Sequence, residues 1–352
     1  MKNLKTPLAA ILIAGLLMHI APMAFSSQPY ETLEGPTEDV EALVFNPEGT
    51  KLYAGGWDRK IYVYSWPEME LLNEFEAHHS AIFEIQFSKD GEYFMTASND
   101  NNARLWETGE QEHINTFTEH DEPVKSAAIS PENRFVITIS EDQTMNVFDR
   151  EEDFDLIETL DLEGEEGNTV TFEPTRGLIV KGTSGNVAKM VQPGTFSTAR
   201  EFVHEGGVND AYFIEDGTRI ITGSDDQTAK VWDPVEGEEV STLSGHTWRI
   251  LSVHLDEEGE YAVTSSNDGS ARLWDANTGD ELNTFELDRQ SVVRSAVLSP
   301  DLEYVISSAQ IRQPDHSGIK IWESGIELEG EEEEEENGEE QEEGEATEEE
   351  EQ

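Results

Sequence analysis

GHTWRILSVHLDEEGEYAVTSSNDGSARLWD, residues 245–275, is one copy of a unit that recurs along the chain. Its closing aromatic belongs to the series Tyr64, Trp106, Phe148, Val191, Trp232, Trp274 and Trp322, separated by 42, 42, 43, 41, 42 and 48 residues. Each member ends a short strand-like run, among them KIYVYS, ARLWE and AKVWD. A fixed period of this size means one supersecondary unit copied in tandem, each copy burying its apolar face against the next. The fifth copy reads DAYF, EDGTR, IITGS, DDQT and AKVWD. Its β-branched and aromatic residues suit half-buried strands, and its Asp-Gly and Asp-Asp steps suit tight hairpins.

The unit has internal grammar. An Asp precedes the aromatic by six residues, a Ser precedes the Asp by two, and a His precedes the Ser by twenty. Four copies keep the full set: His78, Ser98, Asp100, Trp106; His120, Ser140, Asp142, Phe148; His204, Ser224, Asp226, Trp232; and His246, Ser266, Asp268, Trp274. With Gly245-His246 at one end and Trp274-Asp275 at the other, the chain resembles the WD-repeat family over roughly residues 29–326. The resemblance implies a seven-bladed, all-β propeller. It also implies that the Asp accepts from turn amides and from the His, that the His reaches the Ser hydroxyl, and that this chain ends at the Trp N–H. Such a buried chain stabilises only when every member is satisfied.

His, Asp and Ser together also suggest a hydrolase triad. Four copies at fixed spacing argue for architecture instead, since an enzyme needs one. His19, His79, His113, His254 and His316 are scattered without metal-ligand spacing, and there is no Cys. No phosphate loop, H-E-x-x-H or G-x-S-x-G occurs. Asp100-Asn101-Asn102 lacks the rest of a calcium loop and reads as a turn. No catalytic residue, metal or cofactor is therefore expected.

The repeats divide at about 36–76, 77–118, 119–162, 163–202, 203–244, 245–287 and 288–326. YETLEGP, residues 30–36, has the shape of the outer strand VSTLSGH, residues 240–246, yet no blade precedes it. Residues 29–34 are expected to supply the fourth strand of the last blade and so seal the ring. The fourth repeat has Glu163, Gly185 and Val191 where His, Asp and Trp belong, so its polar chain should be missing. The seventh has Arg289 in place of His and an insertion at 309–318 that should lengthen one hairpin.

Lys2 and Lys5, the apolar run Leu8–Ile20 and Ala24-Phe25-Ser26 read as a secretory signal peptide over residues 1–26. Export to a periplasm or the exterior is expected, with no membrane insertion after cleavage; retention of the segment as an uncleaved anchor is the alternative. A Cys-free exported domain points to a prokaryotic envelope. The formal net charge is -55, from 77 acidic and 22 basic residues. Residues 327–352 hold 17 of the Glu, leaving 60 acidic residues against the 22 basic ones elsewhere. This tail should be disordered. Solubility brush, calcium sponge and docking arm are its candidate roles, the brush being favoured. Nucleic acid is excluded as a partner by like charge. Acidity spread over every blade favours adaptation to high salt over attraction to a basic partner.

In the family, positions three and five after the His and the one before the Asp point toward the central opening. Carried over, they place Phe83, Lys125, Arg249 and Leu251 on one face, joined by Trp57 and Arg294 from the first and seventh blades. Trp57 and Phe83 are anchors of the kind enriched in binding hot spots. The reading is a monomeric, non-catalytic scaffold that receives an acidic or carboxylate-bearing protein or peptide on this face. The plainer reading is that these cations only offset neighbouring carboxylates. A propeller enzyme, or a protein binding a small ligand or metal in the central funnel, is the alternative class.

Overall fold

A computed structural model describes residues 29–287, 291–308, 310 and 318–326. The expected leader, Arg289, most of the insertion and the acidic tail fall outside these residues. The described strands form seven four-stranded antiparallel sheets. The first blade contains Val40–Phe45, Lys51–Gly56, Lys60–Ser65 and Leu71–Glu76, ordered from the axis outward. The next five blades repeat this order. A fixed left-handed step recurs at the hairpin between second and third strands: Arg59, Asn101, Gln143, Gln227 and Gly269 all have positive φ, from 67° to 87°.

The last blade is closed by the start of the chain. Glu31–Leu33 pairs antiparallel with Ile319–Glu323, in the register Glu31↔Ile321, Thr32↔Lys320 and Leu33↔Ile319. Leu33, 2% exposed, packs in one cluster with Ile319, Ile321, Leu43 and Tyr64. The Tyr64 hydroxyl donates to the Glu34 carbonyl at 2.8 Å, tying the closing strand to the first blade as well.

The core lies in the seams between blades. Tyr53 and Ile61 of the first blade share a cluster with Ile82, Phe94 and Trp106 of the second. Packing is tight enough at one seam to require glycine. A Cβ on Gly223 would lie 2.8 Å from Ile250 Cγ2 and from Val253 Cγ1 of the next blade.

Each innermost strand of the first six blades carries a one-residue register shift, such as Ile82/Glu84, Val124/Ser126 and Val208/Asp210. A bulge leaves ladder groups unpaired, and side chains of the preceding blade take up several of them. The Ala127 amide donates to Glu84 (3.0 Å), Val170 to Ser126 (2.9 Å) and Val253 to Asp210 (2.9 Å). Ala296 donates to Ser252 (3.1 Å), and Leu43 donates to Ser295 (3.2 Å) across the closing seam. These stitches run one way round the axis, each from a blade to its successor's backbone.

Candidate functional site

In the four blades that keep the full set, the His, Asp and aromatic converge, but the hydroxyl between them is not the expected Ser. His78 Nδ1 lies 3.1 Å from Asp100, and Nε2 lies 2.7 Å from Thr96 Oγ1. Trp106 Nε1 donates to the same Thr96 oxygen at 2.9 Å. Thr222 and Thr264 play this part for His204 with Trp232 and for His246 with Trp274. Thr138 does so for His120. Ser98, Ser140, Ser224 and Ser266 instead accept from the amides of Asp100, Asp142, Asp226 and Asp268, pinning the hairpin. The threonine sits two residues deeper on the same side of the pleat, at the depth the imidazole reaches.

The donors and acceptors fix a direction. An ionised carboxylate only accepts, so His78 carries its proton on Nδ1 and presents a lone pair at Nε2 to the Thr96 hydroxyl. Burial lowers the pKa of His78 and of His204, outweighing their aspartates. Burial alone would raise Asp100, but the His78 ring and the His79 amide hold it well below the usual carboxylate range. In the third blade Phe148 has no donor, and Asn146 Nδ2 approaches His120 Nε2 at 3.3 Å instead. All four histidines are 5% exposed or less, out of reach of a substrate.

The two divergent blades keep fragments of this network. In the fourth, Lys181 occupies the threonine position, and Thr183 Oγ1 donates to Glu165. Its polar chain is therefore reduced to one pair rather than missing, because Gly185 leaves room that the Glu165 carboxylate fills. In the seventh, Trp322 Nε1 donates to Ser307 at 2.9 Å.

The six residues assigned to the binding face all sit at one end of the ring, at the starts of inner strands or at hairpin tips. Trp57 is 46% exposed, and its Nε1 donates to Glu41 Oε1 at 2.6 Å. Arg294 Nε lies 3.5 Å from that same oxygen, which links the first and seventh blades. Lys125 Nζ stands 4.0 Å from the Phe83 ring centroid and 3.4 Å from Glu141. Arg249 touches Asp225 at 3.9 Å, and Leu251 is half-buried. The patch is thus not simply basic: each cation has a carboxylate beside it. Arg249 is the most open of the three, with about half its side chain exposed. Two contributors were missed in the sequence. Glu41 occupies the first-blade equivalent of the Phe83 and Lys125 position, and Trp248, 61% exposed, flanks Arg249.

The opposite mouth of the channel holds a cavity of about 320 Å³ at the ends of the inner strands. Phe45, Phe87, Tyr212 and His254 line it. The Tyr212 and His254 rings lie 4.6 Å apart. Burial pushes His254 down to about 4. Two residues earlier than Gln86 and Tyr212 in the same strands are the stitching carboxyls Glu84 and Asp210, pushed up by burial to about 8 and about 6. Among the described residues no three His, Cys, Asp or Glu side chains are grouped to hold a metal ion, and no helix is long and apolar enough to cross a membrane.

Seven sheets around an axis, with buried His–Thr–Trp networks, define a WD-repeat propeller. The family model for the IFT122 first beta-propeller matches residues 39–312, more than half of the chain, and the protein belongs to that family. It is similar to the serine-threonine kinase receptor-associated protein of Rattus norvegicus, with 35% identity over 81 residues, 23% of each chain. It is also similar to the ciliary WD repeat-containing protein ctxp80 of Euplotoides octocarinatus, 35% identical over 66 residues, 19% of this chain and 9% of that one. SEC12-like protein 2 of Arabidopsis thaliana is 45% identical over 56 residues, 16% and 14% of the two chains. These matches span less than a quarter of each relative's length. WD-repeat propellers are typically scaffolds that bind protein partners.

Proposed function

We propose that this protein is a non-catalytic interaction scaffold, exported to a periplasm or the exterior of a prokaryotic cell, that binds a protein partner on the face bearing Trp57, Phe83 and Arg249. The observation that carries the reading is the exposure of Trp57 and Trp248 on one rim of a ring whose four network histidines are buried. Large, rigid aromatics beside a cation are the usual anchors of an interface. All three cations have a carboxylate beside them, but Arg249, with about half its side chain exposed and the longest of the three contacts, is the most open to an acidic group on the partner. Export rests on the leader-like residues 1–26, and the acidity of the body on tolerance of high salt.

The test uses residues 27–352 as bait in native envelope extract at low and high salt. One dominant partner should be captured, and it should be lost when Trp57→Ala and Trp248→Ala are combined with Arg249→Glu. Capture that survives this triple variant, in a protein with an unchanged thermal transition, overturns the assignment of the face. N-terminal sequencing of the protein from its native cells tests export, which an intact Met1 in the cytoplasm would refute.

A further inference from the structure

The channel mouth opposite the proposed partner face has its own chemistry. Its cavity, about 320 Å³, lies at the small end of the range of ligand pockets. The wall is aromatic: Phe45, Phe87, Tyr212 and the His254 ring. The rim is acidic, with exposed Glu215, Glu257 and Glu258. One layer inward along the same strands stand Glu84 and Asp210. Lys89 is the one Lys or Arg among the lining residues, and its Nζ donates to the Pro174 carbonyl at 3.0 Å.

We propose that this cavity is a binding site for a small organic cation, an ammonium group carried on an apolar or aromatic arm. Ring faces attract such a cation through their quadrupoles, more strongly when it is desolvated. Carboxylates at the rim, and Asp210 deeper in the channel, give it a favourable field at both ends, and low-dielectric walls focus that field. The same field repels anions. A neutral molecule of equal shape gains the wall contacts but nothing from the charges. His254 adds no opposing charge at neutral pH, since burial keeps its ring unprotonated. The site is independent of the proposed partner face, so either assignment survives failure of the other.

Benzyltrimethylammonium, whose charge does not titrate, is the probe. Its binding to the full chain is measured by calorimetry beside benzyl alcohol and benzoate, in about 0.15 M and about 1 M salt. The cation should bind at one site, at least ten-fold more tightly than either comparator, and should persist at the higher salt. Tyr212→Leu and Asp210→Asn should each weaken it at least five-fold. Asn keeps an acceptor for the Val253 amide, so the stitch and the blade survive. Three results overturn the proposal. They are no saturable binding up to about 10 mM, equal binding of all three probes, or loss of binding at high salt, which marks diffuse attraction to an acidic surface. Undiminished binding to both folded variants overturns it as well.

Discussion

Replacing Thr96 by Val exchanges one hydroxyl for a methyl of nearly the same shape, so the packing volume is retained. Two hydrogen bonds are lost: the one from Trp106 Nε1 at 2.9 Å and the one to His78 Nε2 at 2.7 Å. Thr96, Trp106 and His78 are 0%, 1% and 3% exposed, so water cannot replace the hydroxyl. An indole N–H and an imidazole lone pair are left unsatisfied, at about 1–3 kcal/mol each, or about 2–6 kcal/mol together. Unfolding entropy of about 2.1 cal/mol/K per residue, over roughly 300 ordered residues, converts this to a fall in Tm of about 3–10 °C. Thermal unfolding followed by circular dichroism reads the shift, and the Trp106 indole N–H resonance reports the lost bond. Thr96→Ser restores a hydroxyl and should recover most of the stability. A Tm within a degree of the parent, with an unmoved indole resonance, would refute the assignment of Thr96 as the link.

Glu84→Gln tests the channel stitch. A carboxyl raised to about 8 from an ordinary 4.5 binds its proton more tightly in the folded state, so its contribution is full below pH 4.5 and fades as pH rises to 8. The variant should match the parent near pH 5 and exceed it at pH 8.5 in urea denaturation; a constant difference across that range contradicts the sign. Leu33→Asp places a carboxylate in the closing seam and frees the edge at Ile319–Glu323. A loss of about 3 kcal/mol or more and a shift to larger species on gel filtration are expected, and an unaltered elution peak and Tm would contradict the closure. Gly223→Ala forces a methyl against Ile250 and Val253, and should cost about 1–3 kcal/mol. Ile250→Ala in the same chain removes the struck Cγ2, so the two changes together should cost less than the sum of the single losses, and strict additivity would place the strain elsewhere.

The architecture was legible because the repeat writes it seven times. Trp274-Asp275 and its equivalents set the period, and a surplus outer strand at the start with none at the end pointed to closure. The Ser98 assignment failed because Ser98 and Thr96 lie on the same side of one strand, and sequence spacing does not tell how deep an imidazole reaches between sheets. Glu41 was hidden by composition: in a chain with 77 acidic residues, one more Glu is no signal, although its register position was available. The stitches were hidden differently. Equivalent inner-strand positions hold Glu84, Ser126, Asp210, Ser252 and Ser295, two carboxyls and three hydroxyls with no single signature residue. What they share is a backbone bulge beside them or across the seam. His254 looked isolated because its neighbours in the cavity come from other repeats.

The pairing of Glu31–Leu33 with Ile319–Glu323 also sets a schedule. Thr32 and Lys320, which meet side by side, are 288 residues apart in the chain. At about 5–20 residues per second, synthesis delivers the second partner roughly 15–60 s after the first. Through that interval the opening segment has no mate, while blades one to six have every strand they need. A chain of this design finishes folding only when its last blade emerges. A truncation near the C-terminus therefore leaves Glu31–Leu33, made early, without a partner strand.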